Sequence, residues 1–139
     1  MGKLIVKAKL TNAGDVAVAE RGFISKEQIR SVEINGLIDT GAVLVSLPEN
    51  IVNELGLPVV DHRPVKYANG KVESRPIAGG LLIEIQGRTA ETRCIVNTST
   101  DVVLIGQIPL EEMDWMVHPA GQCLVSGHDG YSQGLIEMY

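Results

Sequence analysis

Gly36-Leu37-Ile38-Asp39-Thr40-Gly41-Ala42-Val43-Leu44-Val45 sets a single carboxylate inside an apolar run. Leu37 and Ile38 read as the end of a strand, and apolar character resumes at Val43 after Asp-Thr-Gly. A lone charge in such surroundings must find a partner or shift its pKa, because taking it out of water is costly. Two readings follow from the residues alone. Asp39 can close an Asx turn between two strands, or it can be an acid held at a strand end for chemistry. The flanking sequence has to decide.

Upstream, residues 3–10 alternate Leu4, Val6, Ala8 and Leu10 against Ile5, Lys7 and Lys9, a first strand. Residues 11–30 are irregular, with Gly14 and Gly22 as breakers and Ser25-Lys-Glu-Gln28 as a capping box. Residues 31–38 read as a strand interrupted by Asn35-Gly36, a hairpin signal that folds Val32-Glu-Ile34 back on Leu37-Ile38.

Downstream, Ser46-Leu-Pro-Glu49 has capping-box spacing and predicts a helix over about 48–55, ended by Gly56 with Pro58 beyond. Residues 65–73 form the clearest hairpin. Asn69-Gly70 as a type I′ turn pairs Ala68 with Lys71, Tyr67 with Val72 and Lys66 with Glu73. Residues 80–86 and 88–97 are strands about a turn at Gln86-Gly87. The apolar run within 101–105 suits a strand buried on both faces. A second helix is expected over about 109–116, then short strands at 123–125 and 135–138. An apolar strand, a glycine and a Pro-led helix thus occur twice, about 60 residues apart, as in two related halves.

Composition bounds the rest. The chain has 139 residues, which argues for one domain over 1–139. Sixteen Val and 13 Ile tilt its core toward β-structure. A net charge of −5 with no Lys/Arg cluster disfavours nucleic acid. No apolar run approaches the roughly 18 residues of a membrane span. The N-terminus lacks a signal-peptide pattern, and Val6 stands where a myristoylation signal wants Ser or Thr. Two cysteines are too few for a disulfide scaffold, so the protein reads as cytoplasmic with reduced thiols.

The run from Gly36 to Ala42, followed by Leu47-Pro48 and a helix, resembles the retropepsin-like aspartic proteases, viral and bacterial. Val102-Val-Leu-Ile-Gly106 resembles the apolar-apolar-Gly element these enzymes place beside the catalytic strand. Residues 109–116 are similar to their C-terminal helix, and the 65–73 hairpin lies where they carry a flap. The resemblance covers about residues 30–120 in order. It implies an all-β, closed barrel-like acid protease fold with one or two short helices. It also implies an aspartic endopeptidase acting on peptide or protein substrates, with no cofactor or metal.

Only one Asp-Thr-Gly is present. Two nearby carboxylates share a proton, so the dyad must unite Asp39 from two chains of a homodimer. By resemblance, Thr40 ties the two active-site loops together, Gly41 lets backbone approach substrate, and Ala42 supplies no hydroxyl to the carboxylate. That lack should raise the dyad's pKa and favour a mildly acidic to near-neutral optimum. The resemblance makes Tyr67, Ala68, Asn69, Gly70 and Val72 the flap, stiffer than Gly-rich viral ones; read without it they are an ordinary surface hairpin. It likewise implies a cleft lined by Ile38, Val43, Ile77, Ile105 and Gly106.

Three positions depart from the viral pattern. Val45 replaces a Thr, and an acid–Arg pair is replaced together by Val43 and Gln107. The 38 residues before Asp39 exceed a minimal viral enzyme, making 11–30 an extra loop or hairpin.

Other candidates are bland. His62, His118 and His128 lack metal-ligand spacing. Cys94 and Cys123 read as buried inert thiols. Glu111, Glu112 and Asp114 read as an acidic helix start, and Trp115 and Met116 as contacts of that helix. Asn97-Thr-Ser99 matches a glycosylation sequon that a cytoplasmic protein would not use. The competing functional class is a catalytically silent dimer of the same fold that binds peptides in the same cleft or serves as an assembly module. The intact Asp39, Thr40 and Gly41 favour the enzyme.

Overall fold

The computed structural model of the chain describes residues 3–121 and 123–138. Its first strand, β1 (Ile5–Asn12), buries Val6, Ala8 and Leu10 and exposes Ile5, Lys7 and Lys9, as the alternation requires. Eight further strands follow: β2 (Ser31–Ile38), β3 (Val45–Pro48), β4 (Val59–Lys66), β5 (Val72–Ile85), β6 (Arg88–Asn97), β7 (Val103–Ile105), β8 (Trp115–Val117) and β9 (Leu124–Ser126). The order β1-β2-β7-β3-β6-β5, with β5 pairing back to β1, closes a six-stranded barrel. Strand β4 adds to the outer edge of β5, and β8 and β9 form a separate pair. The architecture is the closed, mostly β acid protease fold expected from the sequence. Leu10, Val45, Leu47, Leu81, Ile83, Ile85 and Ile105 fill the interior and are fully buried.

Asn35-Gly36 makes no hairpin. β2 runs unbroken through both residues, paired with β1 on one side and, at Gly36, with β7 on the other. Glycine is needed there for packing, because a Cβ on Gly36 would lie 2.5 Å from Ile105 Cδ1. The turn at Gln86-Gly87 is a two-residue connection with both φ angles positive (50° and 82°), as expected for type I′. The 65–73 hairpin exists with its register shifted by one: Lys66 pairs with Val72 and Val65 with Glu73. Gly70 N–H donates to Tyr67 O, and Gly70 takes φ +85°, so a three-residue loop replaces the two-residue turn.

Helix α2 (Glu49–Leu55) ends at Gly56 in the left-handed conformation, as read. Its start differs, because Ser46 is buried in β3 beside β6 and Pro48 is the cap residue. Helix α3 (Gln107–Glu112) begins earlier and is shorter than expected, leaving Trp115 and Met116 in β8. Glu111 and Glu112 therefore close the helix. Residues 135–138 form no strand, and Cys123 is exposed where burial was expected. Val103 and Ile105 are buried, while Val102 is exposed and Leu104 half-buried, so β7 has one outer face.

Within 11–30 the chain forms α1 (Ala13–Glu20) and a 3-10 turn at Lys26–Gln28. Asn12 caps α1 by accepting from Asp15 N–H at 3.0 Å and donates to Leu55 O at 2.8 Å. Asp15 receives Arg30 Nε and Nη2, both at 2.9 Å, and the Arg30 backbone N–H at 3.0 Å. The Arg30 guanidinium lowers the Asp15 carboxyl to about 2.

Beyond α3, the buried Arg88 organises the chain. Its guanidinium lies 3.8 Å from the Trp115 ring centre and donates to the Asp114 carbonyl and the Ser126 hydroxyl, both at 2.8 Å. Among the described residues no helix is long and apolar enough to cross a membrane.

Candidate active site

Asp39 follows β2 at the point where the chain leaves the barrel wall. Its backbone N–H donates to Ile105 O at 2.9 Å, which continues the parallel β2–β7 pairing by one bond. The carbonyl of Asp39 accepts from Ala42 N–H at 3.0 Å, and Oδ1 accepts from Gly41 N–H at 3.0 Å. The Asx-turn reading is therefore correct as geometry. It also serves the chemical reading, because it fixes one carboxylate oxygen and leaves the half-buried group reachable from solvent. In the single chain Asp39 is thus not the desolvated charge that its apolar neighbours suggested.

The loop after Asp39 is stitched to the second glycine element. Gln107 N–H donates to Ala42 O at 2.8 Å and Ile108 N–H to Val43 O at 3.0 Å. A Cβ on Gly106 would meet Leu44 O at 2.4 Å and Ala42 O at 2.7 Å, so the two backbones cross in contact there. β7 lies between β2, to which it is parallel, and β3, to which it is antiparallel. The two glycine elements form one unit, side by side as the resemblance implied.

Strand parity revises the lining. Ile105 is fully buried and presents no wall to substrate, while its pairing partner Ile38 is half-buried and packs against the core. Ile77 is also buried. The opposite face carries a row that the sequence reading missed: Ile5 pairs with Leu37, and Leu37 with Leu104. Ile5 is exposed, Leu37 and Leu104 are half-buried, and Leu37 is two residues from Asp39. The period-2 signal for this face was present in Leu37 and Leu104, each the outward neighbour of an inward isoleucine. Val43 is 61% exposed, Thr40 and Gly41 are exposed, and Ala42 is half-buried.

Of the hairpin residues, Ala68, Asn69, Gly70 and Val72 are exposed at or beside the tip. Tyr67 is half-buried, and its hydroxyl accepts from Arg75 Nε at 2.8 Å. Two surface concavities, of about 580 and 380 Å³, lie elsewhere: Asn12, Pro58 and Val60 line the first, Arg88, Ser126 and Tyr131 the second. Asp39 lines neither.

Several of the remaining chemistry-bearing residues are tied up locally. His128 Nδ1 lies 2.9 Å from Asp114 Oδ1, and its Nε2 lies 2.6 Å from Glu137 Oε1. Burial pushes the Cys94 thiol up to about 12. Asn97 Oδ1 accepts from both the backbone N–H and the hydroxyl of Ser99 at 2.9 Å. Among the described residues no group of three His, Cys, Asp or Glu is placed to hold a metal ion.

A family model described as "gag-polyprotein putative aspartyl protease" matches residues 25–112. That stretch runs from the 3-10 turn through α3 and includes Asp39, the β4–β5 hairpin and Gly106. It leaves out β1, α1 and everything after α3. No curated protein matches the chain.

Proposed function

The chain belongs to the retropepsin-like aspartyl protease family, and from that premise we propose that it is an aspartic endopeptidase completed by a second copy of itself. One observation carries the reading. Asp39 stands at the end of a barrel strand, with one carboxylate oxygen fixed by Gly41 N–H and the group still open to solvent. A structural aspartate in an Asx turn would serve as well without Gly106 crossing beneath its loop.

One carboxylate cannot run the reaction alone. Where two Asp39 side chains face each other on a two-fold axis, they cannot both ionise and so hold one proton between them. The ionised member takes a proton from a water, whose oxygen attacks the peptide carbonyl carbon. The protonated member hydrogen-bonds the carbonyl oxygen as negative charge develops there. The tetrahedral intermediate collapses when the amide nitrogen receives a proton from the dyad and the C–N bond breaks. Thr40 joins the two active-site loops, and the 67–72 tip closes over the substrate and excludes water. The row Ile5, Leu37 and Leu104, with Val43, favours apolar side chains flanking the scissile bond. We place the enzyme in the cytoplasm, as one domain over 1–139, with no cofactor and no nucleic-acid or membrane partner.

The test is cleavage of a peptide library at pH 4 to 7 by wild type and Asp39→Asn, with sedimentation run alongside. Loss of cleavage in Asp39→Asn and a dimer at micromolar concentration are expected. Unchanged cleavage in Asp39→Asn, or activity from a monomer, overturns the reading. Peptide binding without cleavage by wild type would make the chain a silent member of its family.

A further inference from the structure

Arg75 joins three parts of the chain with one guanidinium. On β5, it donates from Nε to the Tyr67 hydroxyl at 2.8 Å, from Nη2 to Glu73 Oε2 at 2.5 Å, and from Nη1 to Thr98 Oγ1 at 3.1 Å. Only 16% of its side-chain surface is exposed, a low value for an arginine on a projecting hairpin. Glu73 is shared, since its other oxygen takes Lys71 Nζ at 2.8 Å, and these cations hold its carboxyl below the usual range.

The three partners differ in kind. Tyr67 and Glu73 belong to the hairpin that Arg75 itself is part of. Tyr67 opens the tip loop, yet its ring reaches back along the hairpin to a residue eight positions away. That brace stiffens the tip against its own strands. Thr98 belongs to the body of the molecule, just after β6. Asn97, which is buried, holds the start of this loop by accepting twice from Ser99. The loop then leads into β7, whose last residue accepts the Asp39 N–H. A continuous path therefore runs from the tip through Tyr67, Arg75 and Thr98 to the strand beside Asp39.

We infer that Arg75 is a positioning residue that fixes the resting place of the hairpin tip, braced to Tyr67 within the hairpin and latched to Thr98 outside it. The inference rests on the protease reading. Opening the hairpin as a unit breaks the Thr98 contact alone and keeps the Tyr67 and Glu73 contacts. The latch is thus the weaker, releasable side, and a guanidinium suits it because its fork serves several acceptors at once. Lysine carries its three donors on one nitrogen and lacks the planar fork, so it cannot reproduce all three contacts.

The test compares Arg75→Ala, Arg75→Lys, Tyr67→Phe and Thr98→Val by amide hydrogen exchange and by kcat and KM separately. Exchange at residues 67–72 should rise about threefold to tenfold in Thr98→Val, the range of one lost hydrogen bond, and by more in Arg75→Ala, which loses three. Barrel amides in β5 and β6 near the Gln86-Gly87 turn should keep their protection. KM should rise by a similar factor with kcat changed less, and Arg75→Lys should fall between alanine and wild type. Unchanged exchange at 67–72 in both Arg75→Ala and Thr98→Val overturns the inference. So does faster exchange with unchanged KM, since the tip would then move without consequence for substrate. Exchange is measurable whether or not the protein cleaves peptides, so a failed protease assignment shows separately, as cleavage indifferent to Asp39→Asn.

Discussion

Gly106 faces Leu44 so closely that a Cβ on the glycine would sit 2.4 Å from the leucine's carbonyl oxygen. The atoms it would meet, Leu44 O, Ala42 O and Val43 C, are all backbone, so no side chain can swing aside. Gly106→Ala must push the 39–44 loop away from α3 and strain the hydrogen bonds of Ala42 and Val43 with Gln107 and Ile108. Displacement of about 1 Å at a reacting group costs on the order of a hundredfold in rate. Peptide cleavage should fall by about that factor, with a stability loss of about 1–3 kcal/mol by thermal melting. Cleavage within twofold of wild type would show that the loop absorbs the methyl group without moving Asp39.

Leu104→Ala should change what is cleaved more than how fast. Leu104 is half-buried at the end of the row that runs from Ile5 through Leu37. Removing its branched end takes away part of the apolar row proposed to flank the scissile bond, worth about 1–3 kcal/mol of discrimination. The kcat/KM for peptides with large apolar residues at the scissile bond should drop about tenfold or more, with small residues affected less. Ile105→Ala, inside the core, should instead cost about 2–5 kcal/mol of stability. The two variants separate an outward wall from an inward one.

Asp15 gives the N-terminal segment an acid limit. Its carboxyl is held at about 2 in the folded chain, against 3.8 ordinarily, because Arg30 pairs with the charged form. The contribution is therefore complete above the ordinary value and fades as pH falls through the folded one. Arg30 is half exposed, so solvent screening leaves about 1 kcal/mol. Asp15→Asn should lower stability at pH 6 and converge with wild type near pH 2, measured by denaturant titration across that range.

His128 has the opposite sign. Hydrogen bonds that it donates to the Asp114 and Glu137 carboxylates raise its pKa above 6.5. Its stabilising effect is present below that ordinary value and disappears as pH rises through the folded one. His128→Gln should therefore weaken the packing of residues 127–137 at pH 6 and change little at high pH. Amide exchange at Leu135, whose N–H donates to Asp114 Oδ2 at 2.9 Å, reports it. Equal loss of protection at both pH values would remove the titration from the account.

The barrel was legible because its strands alternate cleanly and its core is β-branched. Val6, Ala8 and Leu10, the Gln86-Gly87 turn and the Gly56 cap each follow a local rule, and the structure keeps them. The errors arose where tertiary packing overrides a local signal. Asn35-Gly36 has turn chemistry, yet Gly36 is there to let Ile105 pass. Ser46 has cap chemistry, yet β3 is taken up by pairing with β6 and β7. Helix α1 carries a weak pattern and depends on Asn12 and on Arg30, a residue 15 positions beyond Asp15. At the site, Asp39 and Gly106 were readable from a motif and its spacing. The outward row was not, because assigning a face needs register, and register is fixed by partners distant in sequence.

Among the described residues, strand β4 is the one member of the large sheet with a single neighbour, and nearly all of its residues are exposed. A free edge of this kind invites another strand to add, which leads to fibres or to uncontrolled association. This edge carries Asp61, His62, Arg63, Pro64 and Lys66. Pro64 lacks a backbone donor, and the charges resist dehydration against a second strand. Self-association by strand addition is thereby blocked along the hairpin. Two copies can meet freely only elsewhere, and the chain should stay dispersed at the high local concentrations at which an unguarded edge would aggregate.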